Sequence, residues 1–589
     1  MNTPQSFYQQ RLENFRKKLK EVTRTLRISS FIRLCWFFLV AFSIYFFYPS
    51  VQYILISVGV GIAGFLFLIT RHNQINYQKK KTSALVKINE RELNVLDGNV
   101  DQLPSGEEYV DPIHAYSHDI DLFGKCSFFQ YLNRTNTPES KDILAFLLSE
   151  NKTDHIAIKQ EAIKELSEKK EWRQDYSATA SLLKAEIKVQ TVLTWLQNYR
   201  SFLPGWIGKF TLAFSIASLL VITACILELI SMSFLTIWFF IGLGNTGIYL
   251  KKITVVYNHA GKAKELFNQY YQLVESIEQT TFKSELLKEK QTQLLNKTVK
   301  ASQTLKRFFK ILDALDQRNN MIYGIFGNAF LLWDIKQVSH IEKWIALHKN
   351  DVEIWFECVN FIDAYNSLGN FAFNHPTFVF PKITNNSEVI NAQDLGHPLL
   401  SPVKRVDNNI IIKNKEFFII TGANMAGKST FLRTVALQIV MSNVGLPVCA
   451  TSCTYSPTKL ITSMRTSDSL SDDSSYFFSE LTQLKHIVDV LEKDNYFIIL
   501  DEILKGTNSK DKAEGSKKFV EKLVRTQATG IIATHDLSLC KIAEEIPVVK
   551  NKYFDAQIIN DELYFDYKFK EGICQNMNAS FLLSKMGIV

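Results

Sequence analysis

Cysteines are few in this chain, and no two of them have the spacing of a metal or redox motif. The 589 residues include eight cysteines, and none of these form a Cys-x-x-Cys pair. Reduced thiols in a cytoplasmic protein account for that pattern most simply. An excess of one charge is also lacking, since 67 basic and 59 acidic residues leave a net charge of only +8. Much of this surplus flanks apolar segments, so it gives no independent indication of nucleic-acid binding.

Long hydrophobic runs, by contrast, are abundant. Hydrophobic residues make up 46% of the chain and 43 residues are Phe, which exceeds the need of a soluble helical protein. Four runs carry the excess: Leu34 to Tyr48, Val51 to Thr70, Phe210 to Leu227 and Leu229 to Leu250. Each pair predicts a transmembrane helical hairpin with a very short outer turn. The alternative is a pair of buried core helices, which seldom reach this length without polar breaks.

Charge placement predicts how the hairpins are oriented. Basic residues precede the first run, follow the second, precede the third and close the fourth, whereas the turns at Pro49-Ser50 and Glu228 to Ser233 contain no Lys or Arg. By the positive-inside rule, all soluble parts lie in the cytoplasm and the chain is an integral protein of the cytoplasmic membrane. We expect no cleaved signal peptide, because the charged leader is long and a second run follows without a small-residue cleavage site.

The segment Gly422-Ala-Asn-Met-Ala-Gly-Lys-Ser-Thr430 has the pattern of a phosphate-binding loop. It follows an apolar strand-like stretch, Phe417 to Ile420, and opens a helix-like one. Glycines at both ends let the backbone wrap around a triphosphate, while Lys428 can reach the β- and γ-phosphates and Ser429 can hold Mg²⁺. The segment therefore predicts binding of ATP or GTP. The nucleotide-binding residues are Gly422, Ala423, Asn424, Met425, Ala426, Gly427, Lys428, Ser429 and Thr430.

Two further apolar strands end in residues suited to hydrolysis. Tyr496 to Leu500 ends at Asp501-Glu502, and Gly530 to Thr534 ends at His535. We expect Asp501 to hold Mg²⁺ through water and Glu502 to orient or deprotonate the attacking water. His535 is placed to sense the γ-phosphate, so Lys428, Glu502 and His535 are the predicted catalytic residues.

These motifs resemble those of the MutS family of DNA mismatch-repair ATPases. The Asn-Met pair within Thr421-Gly-Ala-Asn-Met-Ala-Gly-Lys-Ser-Thr-Phe-Leu-Arg433 separates MutS proteins from most phosphate-loop enzymes, and Asp501 to Thr507 and Ala533-Thr-His535 are similar to two further family motifs. The resemblance implies that the bound nucleotide is ATP, that Mg²⁺ is the metal cofactor, that DNA is a partner and that the chain forms a homodimer. Residues 466–480 are similar to the loop that reaches the partner's nucleotide, which makes Ser475 the trans-acting serine.

The chain also departs from the family pattern. Asp473-Ser474 replaces the usual Gly-Arg before the trans-acting serine, and Arg405 occupies the place of the aromatic residue that stacks on adenine. Before residue 110 there is no room for the family's mismatch-reading domain, and the long DNA-clamping insertion is also missing. These departures make mismatch recognition in the repair sense doubtful.

The predicted fold is an α/β P-loop ATPase domain of the ABC/MutS type at the C-terminus, preceded by an all-α core and lever domain and two transmembrane hairpins. The domains are residues 1–72 (basic helix and first hairpin), 73–109 (linker), 110–394 (MutS-like helical core, interrupted by the second hairpin at about 210–250) and 395–589 (ATPase). The predicted function is that of a membrane-anchored MutS-like ATPase with ATP-dependent DNA binding. The alternative is an ABC-related membrane remodelling or transport ATPase without a DNA partner, although the chain has only four spans and no Leu-Ser-Gly-Gly-Gln loop.

Overall fold

A computed structural model describes residues 3–575 except for 183–187, 296–299, 321, 424, 466–475, 505–506 and 560–561. Long helices dominate the part before residue 375, and a mixture of strands and helices follows. The described helices are α1 (Pro4–Phe46), α2 (Val51–Leu96), α3 (Phe128–Leu132), α4 (Pro138–Ser149), α5 (Ile156–Glu168), α6 (Lys170–Ala180), α7 (Val189–Asn198), α8 (Ile207–Ile226), α9 (Met232–Gln279), α10 (Glu285–Thr292), α11 (Ala301–Asp316), α12 (Asn328–Leu331), α13 (Trp333–His348), α14 (Asp351–Asn374), α15 (Lys428–Val444), α16 (Tyr476–Leu491), α17 (Ser509–Arg525) and α18 (Ile542–Glu545).

Two helical hairpins contain the four apolar runs. Helices α1 and α2 pack against each other along their length and are joined at residues 47–50, while α8 and α9 are joined at residues 227–231. All four helices are long and apolar enough to cross a membrane, and at most 17% of the apolar window of any of them is buried within the protein. The breaks between helices therefore fall at the two turns that the sequence predicts. Helix α2 continues to Leu96, so most of the predicted linker at 73–109 is helical.

The other helices before residue 375 form one all-α region around α14. This helix packs against α4 and α5, while α9 packs against α11 and α13. Helix α14 is deeply buried in this packing. Its side chains Trp355, Phe356, Ile362 and Leu368 are almost completely inaccessible to solvent. Burying such side chains contributes about 1.5–3 kcal/mol each. The predicted all-α region before the α/β domain is thus confirmed.

A buried polar cluster joins the first hairpin to this region. Glu92, near the end of α2, accepts hydrogen bonds from Arg134 Nε at 2.6 Å and Asn370 Nδ2 at 2.9 Å. Tyr8, near the start of α1, donates to Asn370 Oδ1 at 3.2 Å. Burial alone would raise the pKa of Glu92, but Arg134 and Arg91 hold it below its ordinary value. A buried carboxylate left without its partner is strongly destabilising, so this cluster fixes both stems of the hairpin to α14.

The C-terminal part is an α/β domain with one large, mostly parallel sheet. Its six strands lie in the order β12-β9-β4-β8-β7-β6, and only the edge strand β12 is antiparallel to its neighbour. A four-stranded sheet, β1-β5-β2-β3, and a two-stranded one, β10-β11, complete the domain. The strands are β1 (Lys382–Ile383), β2 (Glu388–Leu395), β3 (Asn408–Lys413), β4 (Phe417–Gly422), β5 (Ser452–Tyr455), β6 (Lys459–Ser463), β7 (Tyr496–Asp501), β8 (Thr529–Ala533), β9 (Val549–Phe554), β10 (Gln557–Ile559), β11 (Glu562–Tyr564) and β12 (Phe569–Glu571).

The three central strands β4, β8 and β7 are apolar almost throughout because both faces of the sheet are covered. Every residue of β4 and β8 is buried, and in β7 only the first and last are partly exposed. Near-continuous apolar runs are typical of parallel strands that have helices on both sides. This arrangement places the carboxyl ends of the three strands side by side, at the position where ligands bind in open α/β sheets.

Candidate active site

The predicted site residues meet at the carboxyl edge of the central sheet. Strand β8 lies between β4 and β7, so its continuation at His535 falls between the loop after Gly422 and the acidic pair after Leu500. A backbone hydrogen bond from Glu502 N to Ala533 O, at 2.9 Å, holds two of these strand ends together. The sheet thereby brings together residues more than 100 positions apart in the chain.

The loop between β4 and α15 has the backbone of a phosphate-binding loop. Gly427 has φ = 102° immediately before α15 begins at Lys428, and Met425 has φ = 67° within the loop. Only glycine adopts the conformation of Gly427 without strain. The amino terminus of α15, a helix of 17 residues, points its free backbone N–H groups at this loop. The helix dipole favours an anion at that end. Asn424 lies outside the described residues.

Lys428 turns its ammonium group back onto the loop. Its Nζ donates to Gly422 O at 2.8 Å and to Ala423 O at 3.0 Å. Burial lowers the pKa of Lys428, and the nearby carboxylates of Asp501 and Glu502 oppose that effect. A partly buried ammonium ion held among carbonyl groups is placed to bind a phosphate oxygen in the same loop.

Ser429, at the start of α15, contacts Asp501 at the end of β7. Ser429 Oγ donates to Asp501 Oδ2 at 2.7 Å. Hydroxyl and carboxylate oxygens are ligands that Mg²⁺ prefers, and this ion commonly uses one or two carboxylates together with substrate phosphates. Among the described residues no cluster of three or more His, Cys, Asp or Glu side chains could hold a metal. By their ligand chemistry, Ser429 and Asp501 fit Mg²⁺ that is shared with a phosphate.

His535 connects Lys428 with Glu502. Its Nε2 lies 3.2 Å from Lys428 Nζ and 2.9 Å from Glu502 Oε1. The same nitrogen can accept from Lys428 or, when it is protonated, donate to Glu502. Glu502 itself has φ = 51°, an uncommon conformation for a residue other than glycine, and such strain is concentrated at functional sites.

A glutamate from α16 supports the loop that carries Glu502. Glu480 is 4% exposed, and its Oε1 accepts from Leu504 N at 2.5 Å. Because Glu480 is buried against this loop, the position of Glu502 depends on α16. Helix α16 begins directly after residues 466–475, which are not described and include Ser475.

Two aspartates of the all-α region hold the other end of that segment. Asp119 accepts from Met464 N and Arg465 N, both at 2.9 Å. Asp121 pairs with Arg465 at 2.7 Å and with Arg433 of α15 at 3.1 Å. Residue 465 is the last described residue before 466–475, and Asp121 links it to the helix of the phosphate loop.

A cavity of about 460 Å³ extends from the phosphate loop toward β3 and β12. Arg405 lines it, as the family resemblance suggests, but its guanidinium Nε donates to Asp407 Oδ1 at 2.6 Å. Tyr567 also lines the cavity, with its ring 3.0 Å from the position that a Cβ at Gly427 would occupy. His397 also borders the cavity, and burial lowers its pKa to about 4, so it is neutral at pH 7.

Sequence analysis missed Tyr567, His397 and Glu480 as contributors to this site. Tyr567 follows Gly427 by 140 positions, and no local pattern marks it. Of the residues predicted from sequence, the structure brings together Gly422, Ala423, Met425, Ala426, Gly427, Lys428, Ser429, Thr430, Asp501, Glu502 and His535. The predicted roles of these residues stay predictions.

A phosphate loop, an acidic pair and a histidine at adjacent strand ends define a phosphate-loop α/β protein. Residues 418–583 match the family described as MutS domain V. By this match the C-terminal part of the chain belongs to the MutS family, and it has the α/β fold of that domain.

Several curated relatives are similar to part of the chain. MutS protein homolog 4 of Homo sapiens is 30% identical over 193 residues, which are 31% of this chain and 20% of that protein. DNA mismatch repair protein MutS of Acholeplasma laidlawii is 28% identical over 267 residues, 45% of this chain and 30% of that protein. The protein of the same name from Clostridium beijerinckii is 30% identical over 273 residues, 45% of this chain and 28% of that protein. The matches thus span less than a third of the length of these relatives.

Proposed function

We propose that this chain is a membrane-anchored ATPase of the MutS family that dimerises through its α/β domains and couples ATP hydrolysis to DNA binding. The observation that carries the proposal is the convergence of Lys428, Ser429, Asp501, Glu502 and His535 at one edge of the sheet. Phosphoryl transfer needs positioning and charge stabilisation more than covalent chemistry, and these residues supply both.

Each residue has a role that follows from its contacts. The loop N–H groups and Lys428 would bind the phosphates, and Ser429 and Asp501 would hold Mg²⁺, which when bound would supply positive charge at the phosphoryl group. Glu502 orients and deprotonates the attacking water. His535 lies within reach of both Glu502 and Lys428 and links the water to the phosphate. Ser475 of a second copy completes the site in a two-fold dimer.

DNA binding rests on the relatives, two of which are named as DNA mismatch repair proteins. Helix α11 offers exposed cationic side chains at Lys306, Arg307 and Lys310 that could follow a phosphate backbone. We expect the purified protein to bind homoduplex, mismatched or branched DNA, with an affinity that falls as salt rises. Replacing these three residues by Gln should weaken binding and lower the salt slope by about 0.9 for each phosphate that is no longer neutralised.

A matched control is available on α17, where Lys518, Lys522 and Arg525 are exposed and carry the same charges. Replacing these by Gln changes the net charge equally and should leave the salt slope unchanged if α11 is the DNA surface. No DNA binding at low salt, together with an ATPase rate that responds to lipid, would favour a membrane remodelling or transport ATPase instead.

Membrane anchoring is supported by the four exposed apolar helices and by the absence of Lys and Arg from both turns. We expect Ser50→Cys and Ser231→Cys, in the two turns, to react with a membrane-impermeant thiol reagent applied outside intact cells. Ser401→Cys, exposed on the α/β domain, should react only after the cells are opened. Peptide mass spectrometry identifies each labelled position, so the native cysteines can remain.

The control for this topology is the same labelling after detergent lysis, in which all three positions should react. Labelling of Ser401→Cys in intact cells, or release of the protein from membranes by carbonate, would contradict the anchored topology.

A further inference from the structure

Residues 322–333, which end at the first residue of α13, form an apolar segment that lies outside the four long hydrophobic runs. We call them the apolar loop. Between Arg318 and Asp334 the sequence contains no charged residue. The apolar loop consists of a π-helix, Ile322–Gly327, followed by α12 and the residues that lead into α13.

The apolar loop packs against the second hairpin well inside the candidate spans. A Cβ at Gly242 would lie 1.9 Å from Ala329 O, so α12 contacts the backbone of α9 directly. The rings of Phe326 and Phe330 lie 6.0 and 5.9 Å from that of Phe239. Such close approach at glycine is typical of helix packing in membranes.

The depth of these contacts follows from helix geometry. Gly242 precedes Lys251, the basic residue that closes the fourth run, by nine positions, and Phe239 precedes it by twelve. At 1.5 Å per residue these positions lie about 13 and 18 Å along the helix from Lys251. Because the hydrocarbon core is about 30 Å thick, the apolar loop reaches toward its middle if α9 crosses the bilayer.

Side chains of the apolar loop continue the exposed apolar surface of the spans. Phe326 is 54% exposed and Leu331 is 40% exposed, and on α9 the neighbouring Phe240 is 64% exposed. These side chains would be unfavourable in water but not among acyl chains.

Several polar groups of the apolar loop have hydrogen-bond partners within the protein. Gly324 N donates to Asn320 O at 2.8 Å, and Asn328 Nδ2 donates to Gly324 O at 3.0 Å. Asn328 Oδ1 accepts from Asp334 N at 2.9 Å, where α13 begins. Backbone inside a bilayer must be satisfied in this way, because no water is present to replace a missing partner.

An ion pair closes the base of the apolar loop. Arg318 Nε lies 3.3 Å from Asp334 Oδ2, and Trp333 Nε1 donates to Ala314 O at 2.8 Å. Tryptophan is enriched at the membrane–water interface, so Trp333 fits the place where the segment would leave the bilayer.

We propose that residues 322–333 are a re-entrant segment that enters the cytoplasmic leaflet beside α8 and α9, with Phe326 and Leu331 in contact with phospholipid acyl chains. This inference rests on the proposed membrane anchoring. Helix α13 follows the segment directly and leads into α14, so the helix that packs against α4 and α5 is connected to the bilayer through α13. A nucleotide-driven tilt of α14 would therefore move a membrane-embedded element.

The test compares Phe326→Cys and Leu331→Cys with Leu347→Cys, an exposed apolar position at the far end of α13. Purified variants are reconstituted in vesicles of defined phospholipids, with the soluble domains outside, and treated with a water-soluble maleimide. We expect Leu347→Cys to react at least about 10-fold faster than the other two, because a thiol in hydrocarbon is not ionised. A phospholipid with a diazirine on its acyl chain should cross-link to residues 326 and 331 but not to residue 347.

Equal maleimide rates at all three positions, or protection without lipid cross-linking, would overturn the inference. Ser231→Cys in the same vesicles separates this failure from failure of the anchoring. If Ser231→Cys is protected in the lumen while Phe326→Cys reacts, the hairpin spans the bilayer and the apolar loop does not enter it. If Ser231→Cys reacts from the same side as Leu347→Cys, the anchoring itself is wrong.

Discussion

Glu502→Gln is expected to retain ATP binding and to lose at least about 100-fold of the steady-state ATPase rate, because a positioned general base contributes about 10²–10⁴-fold. The amide has the shape of the carboxylate, so it can keep the contact with His535 Nε2 that the carboxylate makes at 2.9 Å. It cannot take a proton from water. Nucleotide affinity measured by fluorescence titration and hydrolysis measured by phosphate release separate the two properties.

The Lys428→Ala variant, by contrast, is expected to lose ATP binding as well as hydrolysis. Lys428 Nζ lies within 3.0 Å of two carbonyl oxygens of the phosphate loop, where a triphosphate would bind. Removing it takes away the ammonium group that reaches the β- and γ-phosphates.

Matched controls for both changes lie on α17. Glu514 and Lys518 form an exposed pair at 2.7 Å, so Glu514→Gln and Lys518→Ala make the same chemical changes away from the site. Both controls should keep the wild-type rate. Undiminished hydrolysis in Glu502→Gln would show that this residue does not activate water.

Mixing two inactive variants is expected to restore ATPase activity if the sites are shared between subunits. Ser475→Ala removes the residue predicted to act in trans, and Lys428→Ala removes the phosphate-binding residue that acts in cis. In a dimer of one copy of each, one site lacks both residues and the other is intact. Random assortment of a 1:1 mixture yields half mixed dimers, so about 25% of the wild-type sites return.

The control is a single chain that carries both substitutions. Mixed with either single variant, it cannot form an intact site and should restore nothing. Recovery with the double variant, or no recovery with the two single variants, would contradict a shared site. The described residues on either side of 466–475 are held in place: Asp119 and Asp121 bind Arg465, and Glu480 of α16 accepts from Leu504 N.

The sequence by itself determined the chemistry-bearing motifs and where they lie. A phosphate loop, an acidic strand end and a histidine after a third strand are each recognised from a few consecutive residues, and β4, β7 and β8 occur where the apolar runs predict them. Both hairpin turns could also be predicted, since a break between two long apolar runs is a local signal.

Only the tertiary structure decided which distant residues complete these elements. The ring of Tyr567 lies against the phosphate loop 140 positions away, and Asp121 pairs with Arg433 and Arg465 across domains.

The apolar loop was not recognised because 12 residues are too few to predict a span, and its contact with Gly242 depends on packing. Glu92 likewise became part of a buried cluster because α2 continues through the predicted linker. The local pattern of apolar residues specifies a helix or a strand. Contacts between these elements depend on how the whole chain buries its apolar surface, and a short window of sequence does not contain that information.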